Sequence, residues 1–318
     1  WEAQREWLYF LPGVVQGLNL ACRLFDPCQD NPVEVLVPSP VYGPFLTAPL
    51  HSGHRCVKVP LVRGPVEGTE GKRVDWTFDW EALEEAISPR TKLILLCNPH
   101  NPVGRVFMKA ELVRLGEFCL KHDLIICSDE IHSDLIFDPS ATPHIPMATI
   151  SQEISDRTIT LQSPSKTYNI PSMGLAYAVI PNKQLRLRFM KAGRGLVTQM
   201  PAVGYTSLQA AYEEGGPWHQ ALLTYLDGNR QFLYEYIGTH LPQLKIYPME
   251  ATYLAWIDVS ALNLPNPWQF FNQAGVGLSN GQDFGATEPF LRINFGCPRS
   301  VLKEGLNRIQ SAIIRQNE

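Results

Sequence analysis

Three apolar runs in this chain each end in groups able to do chemistry. Thr158-Ile159-Thr160-Leu161 breaks into Ser163-Pro164-Ser165, and Lys166 follows at once. Leu124-Ile125-Ile126-Cys127 ends in Ser128-Asp129-Glu130-Ile131-His132, acid followed by imidazole. Leu93-Ile94-Leu95-Leu96-Cys97 ends in the turn-forming cluster Asn98-Pro99-His100-Asn101-Pro102-Val103-Gly104-Arg105. Taken alone, Lys166 reads as a surface lysine in a polar loop. The two companion runs displace that reading, because all three deliver polar groups at the end of what looks like a buried strand.

An amine flanked by hydroxyls suits a ligand with one carbonyl carbon and one anionic group. Pyridoxal phosphate is such a ligand: its aldehyde condenses with a lysine amine and its phosphate takes hydroxyl and amide donors. The elements that position these groups follow from the pattern. Between the second and third apolar runs, residues 109–120 repeat apolar positions at helical spacing, as a crossover helix should. The unit is βαβ, and open α/β sheets place their ligands at the C-terminal ends of the strands. Strand-like and helix-like runs alternate from Gly13 to about Arg186, which predicts an α/β fold. Its mostly parallel sheet carries helices on both faces, in a large domain over residues 1–222. Residues 217–240 read as one long helix with a proline in its first turn. Strand-like runs at 244–247, 252–257 and 290–295 and a helix over 301–314 then predict a smaller α+β domain, 223–318.

Bulk properties narrow the class. With 318 residues, 45% apolar and 18% charged, the chain can bury a substantial core. A formal net charge of −4 gives no reason to expect nucleic acid or anionic membranes as partners. No apolar run approaches the roughly 18 residues a membrane span needs. Seven cysteines are scattered, several inside apolar runs, which fits a reducing cytoplasm. No histidine or cysteine pair has metal-ligand spacing, so no metal is expected.

The order of these motifs, NPxNPxGR, then SDEIH, then SPSKTYN, resembles the fold-type-I pyridoxal phosphate enzymes of the aspartate aminotransferase superfamily. The branch it is most similar to is the MalY/PatB-type carbon–sulfur lyases, with cystathionine β-lyase as the familiar activity. Further matching stretches are Pro40-Val41-Tyr42-Gly43-Pro44-Phe45, Ala251-Thr252-Tyr253-Leu254-Ala255-Trp256 and Arg292-Ile293-Asn294-Phe295-Gly296-Cys297-Pro298-Arg299. The resemblance runs from about Phe10 to the C-terminus. It implies a β-elimination that turns an S-substituted cysteine or cystathionine-like amino acid into thiol, pyruvate and ammonia. Transamination by the same constellation is the alternative, and a non-catalytic protein of this fold is the remote one.

The resemblance also implies roles. Lys166 holds the cofactor and takes the substrate's α-proton; Asp129 faces the pyridine nitrogen. Asn101 and His132 meet the ring oxygen, and Tyr42 stacks on the ring. The phosphate goes to the first amides of a helix over 17–24, reached through Gly13, Val14 and Val15, with hydroxyls from Ser163 and Ser165. Arg292 takes the α-carboxylate, on the same strand face as Asn294. Glu130 has the ordinary reading of a solvated strand end, and Asn98 and Pro99 of turn formers. Many relatives carry an arginine eight residues after the lysine; here that position is Gly174. The resemblance therefore implies a homodimer with shared active sites, the partner supplying missing phosphate donors. A tyrosine from a family segment preceding Trp1 is one candidate donor.

Two other motifs fail on context. Asp129-Glu130-Ile131-His132 looks like a DExH box, but 68–73 has the wrong spacing for its phosphate loop. Gly277-Leu278-Ser279-Asn280-Gly281 matches the hydrolase elbow, but no histidine follows it as that triad order requires.

Overall fold

The computed structural model describes residues 1–25, 32–66 and 73–316. The run 68–72 lies outside them. Eight strands form the large sheet: β1 (Leu8–Leu11), β2 (Glu34–Ser39), β3 (Arg55–Pro65), β4 (Arg73–Phe78), β5 (Thr91–Cys97), β6 (Ile125–Asp129), β7 (Thr158–Gln162) and β8 (Ala176–Val179). Four more, β9 (Lys245–Ile246), β10 (Leu254–Asp258), β11 (Ser279–Asn280) and β12 (Phe290–Asn294), form a small one. The helices are α1 (Val14–Cys22), α2 (Gly43–His51), α3 (Trp80–Glu85), α4 (Lys109–Lys121), α5 (Gln152–Ser155), α6 (Lys183–Ala192), α7 (Ala202–Glu214), α8 (Gly216–His240), α9 (Pro267–Gln273) and α10 (Arg299–Gln316).

The large sheet has the order β1-β8-β7-β6-β5-β2-β3-β4. Its five inner strands, β7 to β3, pair in parallel, and the remaining pairs are antiparallel. Alternate residues of the inner strands face opposite layers. Val35, Val37, Leu93, Leu95 and Cys127 pack with α1, α2 and α6. Leu36, Ile94, Leu96 and Ile126 pack with α3, α4 and α5. A sheet covered on both faces needs apolar residues at every position, which is why these strands read as continuous apolar runs.

That topology fixes where the chemistry goes. From β2 the chain passes through α2 to β3 on one side, while β5 lies on the other side of β2. The strand order reverses there, and the loops at the strands' carboxyl ends splay apart into a crevice. The parallel register places Cys97 beside Asp129, and Asp129 beside Leu161. The ends of β5, β6 and β7 are therefore level, and the groups that follow them emerge side by side.

The small sheet, in the order β11-β12-β10-β9, is antiparallel throughout. It packs with α8, α9 and α10 through Leu233, Ile237, Phe271, Leu306 and Ile309. The expected domain boundary at residue 222 falls inside α8, which runs through it unbroken. Several expected bounds shift. The helix expected over 17–24 begins at Val14, directly after Gly13. The strand expected over 244–247 shrinks to two residues. The one expected from 252 starts at Leu254, because Thr252 takes a left-handed backbone (φ +71°) that no strand can hold.

Leu36 sits on a central strand with no exposed surface. Leu36→Ala should cost roughly 2–5 kcal/mol in urea denaturation, the usual toll of a buried leucine that leaves a cavity. A loss under about 1 kcal/mol, in the range of surface substitutions, would remove Leu36 from the layer between the sheet and α4.

Candidate active site

A cavity of about 350 Å³ lies over the level ends of β5, β6 and β7. Gly13, Val14, Val15, Tyr42, Asn101, Asp129, His132, Ser165, Lys166 and Arg292 all line it. These groups come from six separate stretches of chain, so only the fold brings them together. A cavity of similar size, about 360 Å³, lies against α10 and is lined by none of them.

Asp129 closes β6 and is almost completely buried. One carboxylate oxygen accepts the Ile131 amide at 3.1 Å. Burial pushes the carboxyl up to about 7; Glu130 adds to the rise, while the Ile131 amide and the Lys166 charge oppose it. A carboxylate taken out of water and facing a cavity is stabilised by a cation placed there. His132, one turn on, is equally buried, and its Nδ1 has no partner. Burial, then the positive charges of Lys166 and Arg292, push its pKa down to about 3. The imidazole is thus neutral near pH 7, with a ring nitrogen free for a ligand.

Glu130 departs from expectation. It is not a solvated strand end but a buried carboxylate, 1% exposed. It accepts from Ser128 Oγ (2.8 Å) and the Met147 amide (3.0 Å) and pairs with His144 Nε2 (2.9 Å). These bonds point it away from the cavity and tie the end of β6 to the segment before α5.

The Asn98–Arg105 turn is built from its own side chains. Asn98 Oδ1 accepts the Phe107 amide at 3.0 Å. His100 bridges two carbonyls, Cys97 O at 3.0 Å and Pro40 O at 2.7 Å, so it joins this turn to the one that carries Tyr42. The Tyr42 amide in turn donates to Asn101 O at 3.0 Å. Tyr42 stands just ahead of α2 at the mouth of the cavity, 37% exposed. His100 has no role in the sequence reading, and its lone position in a Pro-rich run gives no periodic signal.

Arg292 lies on β12 opposite this turn. Its Nη1 donates to Asn101 Oδ1 (3.0 Å) and its Nη2 to Ser279 Oγ (3.1 Å), while Nε has no partner. The guanidinium rests 4.7 Å from the Phe284 ring centroid. Both hydrogen-bond partners are neutral, so the half-buried cation has no fixed counter-charge and suits an incoming carboxylate. Asn294, two residues on, lines the same cavity. Tyr253 does too and meets His132 edge-on at 6.0 Å. Its position follows from the left-handed turn at Thr252, which the sequence pattern does not announce.

The phosphate end is a helix start. Gly13 precedes the first residue of α1, so Val14, Val15 and Gln16 lie in a first turn whose amides have no intrahelical acceptors. Such a terminus suits an anion. Ser165 faces the cavity. Ser163 does not, contrary to expectation. Its hydroxyl proton goes to Leu175 O at 2.8 Å and its oxygen accepts the Ser165 amide at 3.1 Å, so it braces the lysine turn from behind. Gly174 is a left-handed residue (φ +62°) that ends a short helical turn, a conformation that penalises any side chain.

The residues present fit pyridoxal phosphate. An unpartnered histidine nitrogen, a buried carboxylate lacking a cation, a lysine and free helix amides surround one space of the right scale. The Asp129 shift also sets a pH dependence. A carboxyl raised from 3.8 to about 7 keeps a proton in the folded chain that the unfolded chain has lost. Its contribution to stability is present below about pH 4 and is lost as pH rises toward 7. His132, depressed to about 3, acts the other way, its contribution being lost as pH falls below the unfolded value of 6.5. In the cofactor-free protein, Asp129→Asn should therefore gain melting temperature relative to wild type as pH rises from about 4 to about 7. A difference that stays flat across that window would sink the assignment.

The comparisons with known proteins agree with the geometry. A family model described as aminotransferase class I and II matches residues 2–309. Cystathionine beta-lyase PatB of Bacillus subtilis (strain 168) is 35% identical, covering 98% of this chain and 79% of that protein. A crystal structure described as OvoB is 42% identical with a TM-score of 0.89, over 98% of this chain and 79% of that one. Cystalysin of Treponema denticola, whose structure contains a pyridoxal 5'-phosphate cofactor, is 32% identical with a TM-score of 0.91, over 99% and 78%. The chain belongs to the class I and II aminotransferase family.

Proposed function

We propose that this protein is a pyridoxal-phosphate-dependent carbon–sulfur β-lyase acting on an S-substituted cysteine or a cystathionine-like amino acid. The observation that carries the reading is the convergence of Lys166, Asp129, His132 and Arg292 on one cavity. The similarity to a protein named cystathionine beta-lyase supports the choice of reaction.

When bound, the cofactor's protonated ring draws electron density from the substrate's α-carbon. Everything else is the chain's own work. Arg292, whose terminal nitrogens meet only neutral oxygens and whose Nε has no partner, would take the α-carboxylate and fix the substrate's orientation. Asp129 faces the ring nitrogen, and its charge keeps that nitrogen protonated. Asn101 and the unpartnered His132 nitrogen meet the ring oxygen. The first amides of α1 and the Ser165 hydroxyl hold the phosphate, and Tyr42 covers the ring at the cavity mouth. Lys166, which lines the same cavity, would hold the cofactor and would serve as the base for the substrate's α-proton. With that proton gone, the bond between the β-carbon and sulfur breaks and the sulfur leaves with the electron pair as thiolate. Water converts the remaining enamine to pyruvate and ammonia.

Two further features of the reading concern the protein's setting. The chain is proposed to act as a homodimer with shared sites. Large exposed apolar groups, among them Leu50, Val203, Tyr205, Tyr212 and Trp218, and the glycine at position 174 both support a second copy that covers surface and adds phosphate donors. Sedimentation at micromolar concentration should give a dimer, and a fully active monomer would contradict it. The proposed compartment is the cytoplasm, in keeping with the six free cysteines among the described residues; cell fractionation checks this. Among those residues, no helix is long and apolar enough to cross a membrane.

The reaction is tested on a thioether amino acid with no keto acid present. Sustained release of thiol and pyruvate is expected, with Lys166→Ala inactive and borohydride labelling mapped to Lys166. A single turnover rescued only by a keto acid would make the protein an aminotransferase.

A further inference from the structure

Residues 249–252, from the small domain, form a strap that passes between two loops of the large one. On one side, Gly104 O accepts both the Glu250 amide (2.9 Å) and the Ala251 amide (3.0 Å). On the other side, the Phe137 amide donates to Glu250 O (3.0 Å) and the Thr252 amide donates to Leu135 O (2.8 Å). Gly104 lies three residues after Asn101, and Leu135 three residues after His132. The strap therefore grips both loops that carry the groups assigned to the cofactor's ring oxygen. It leads directly into Tyr253, which lines the cavity against His132.

Close approach is built in. Gly104 has φ +75°, and a Cβ there would stand 3.1 Å from Ala251 O and from Met249. The strap's one charged side chain completes the grip. Glu250 accepts the Val106 amide at 2.7 Å and pairs with Arg105 Nη1 at 3.3 Å. Arg105, 4% exposed, gives its Nη2 to Glu111 at 2.6 Å. Glu111 also accepts Thr77 Oγ1 (2.7 Å) and the Met108 amide (2.8 Å). One guanidinium thus serves two carboxylates, one fixed in the large domain and one arriving from the small domain. Arg105 already has a buried partner in Glu111, so the fold does not need Glu250 to neutralise it. What Glu250 adds is a fixed distance between the strap and the Asn101 turn.

We infer that Glu250 is a positioning residue, which acts through Arg105 and the Val106 amide to set Asn101, and through its strap to set His132 and Tyr253. The Glu250 carboxylate would thereby link the groups for the cofactor ring to the one for the substrate carboxylate, because Asn101 also receives Arg292. The inference rests on the cofactor assignment made above.

The test compares Glu250→Ala and Glu250→Gln with wild type. The readouts are pyridoxal phosphate affinity by equilibrium dialysis, KM and kcat on a thioether amino acid, and the melting temperature of the cofactor-free protein. Since Glu111 keeps Arg105 paired, both variants should fold. Glu250→Ala should bind cofactor about tenfold more weakly and raise KM by a similar factor, within the range of coupling through a packed network. Glu250→Gln keeps an acceptor for the Val106 amide and should fall between. Wild-type affinity and KM in both variants, with or without a lower melting temperature, would reduce Glu250 to a structural contact and overturn the proposal. Failure of wild type itself to bind the cofactor would instead overturn the cofactor assignment.

Discussion

A carboxylate placed at the end of a buried strand governs much of this molecule. Asp129 has sheet on both sides, one amide for company and a cavity in front. Ionising it there is costly until a cation occupies that cavity. The neighbouring choices follow from the same constraint. His132 is kept neutral, so it neither competes for that carboxylate nor repels Lys166. Glu130, one residue away, is turned out of the cavity and bound by three donors, so that two acids in sequence do not share one space. Arg292 is held by neutral oxygens only, which leaves its charge available to a ligand.

Much of this was legible in the sequence, for reasons that can be traced to particular elements. A parallel strand covered on both faces must be apolar throughout, so β5, β6 and β7 stand out as unbroken runs. Ligands collect where such strands end, so the polar residues just past Cys97, Cys127 and Leu161 mark the site. Arg292 and Asn294 follow from period-two alternation on β12. The long helix α8 is marked by its length and by a proline in its first turn.

What was not legible depends on contacts between distant segments. Nothing near Ser163 in sequence reveals that Leu175 O, twelve residues on, takes its hydroxyl proton. Glu130 reads as solvent-facing because its partners, His144 and Met147, reach it only after the chain has turned back. The start of α1 at Val14 is hard to read because two β-branched valines open the helix and its N-cap, Gly13, has no side chain to accept a first-turn amide. The strap at 249–252 has no periodicity of its own. Its pairing is with loops more than a hundred residues away.

Thr252 carries a cost that the rest of the strap makes sense of. A β-branched residue in the left-handed region is strained by about 1–3 kcal/mol, and this one is wholly buried with its hydroxyl accepting the Leu254 amide at 3.2 Å. Glycine or asparagine adopts that backbone more easily. Selection for robustness alone would therefore drift away from threonine at this position. What threonine adds there is a hydroxyl that takes up the buried Leu254 amide, an acceptor that glycine lacks. Position 252 is thus a place where an unstrained backbone and a satisfied buried amide ask for different side chains.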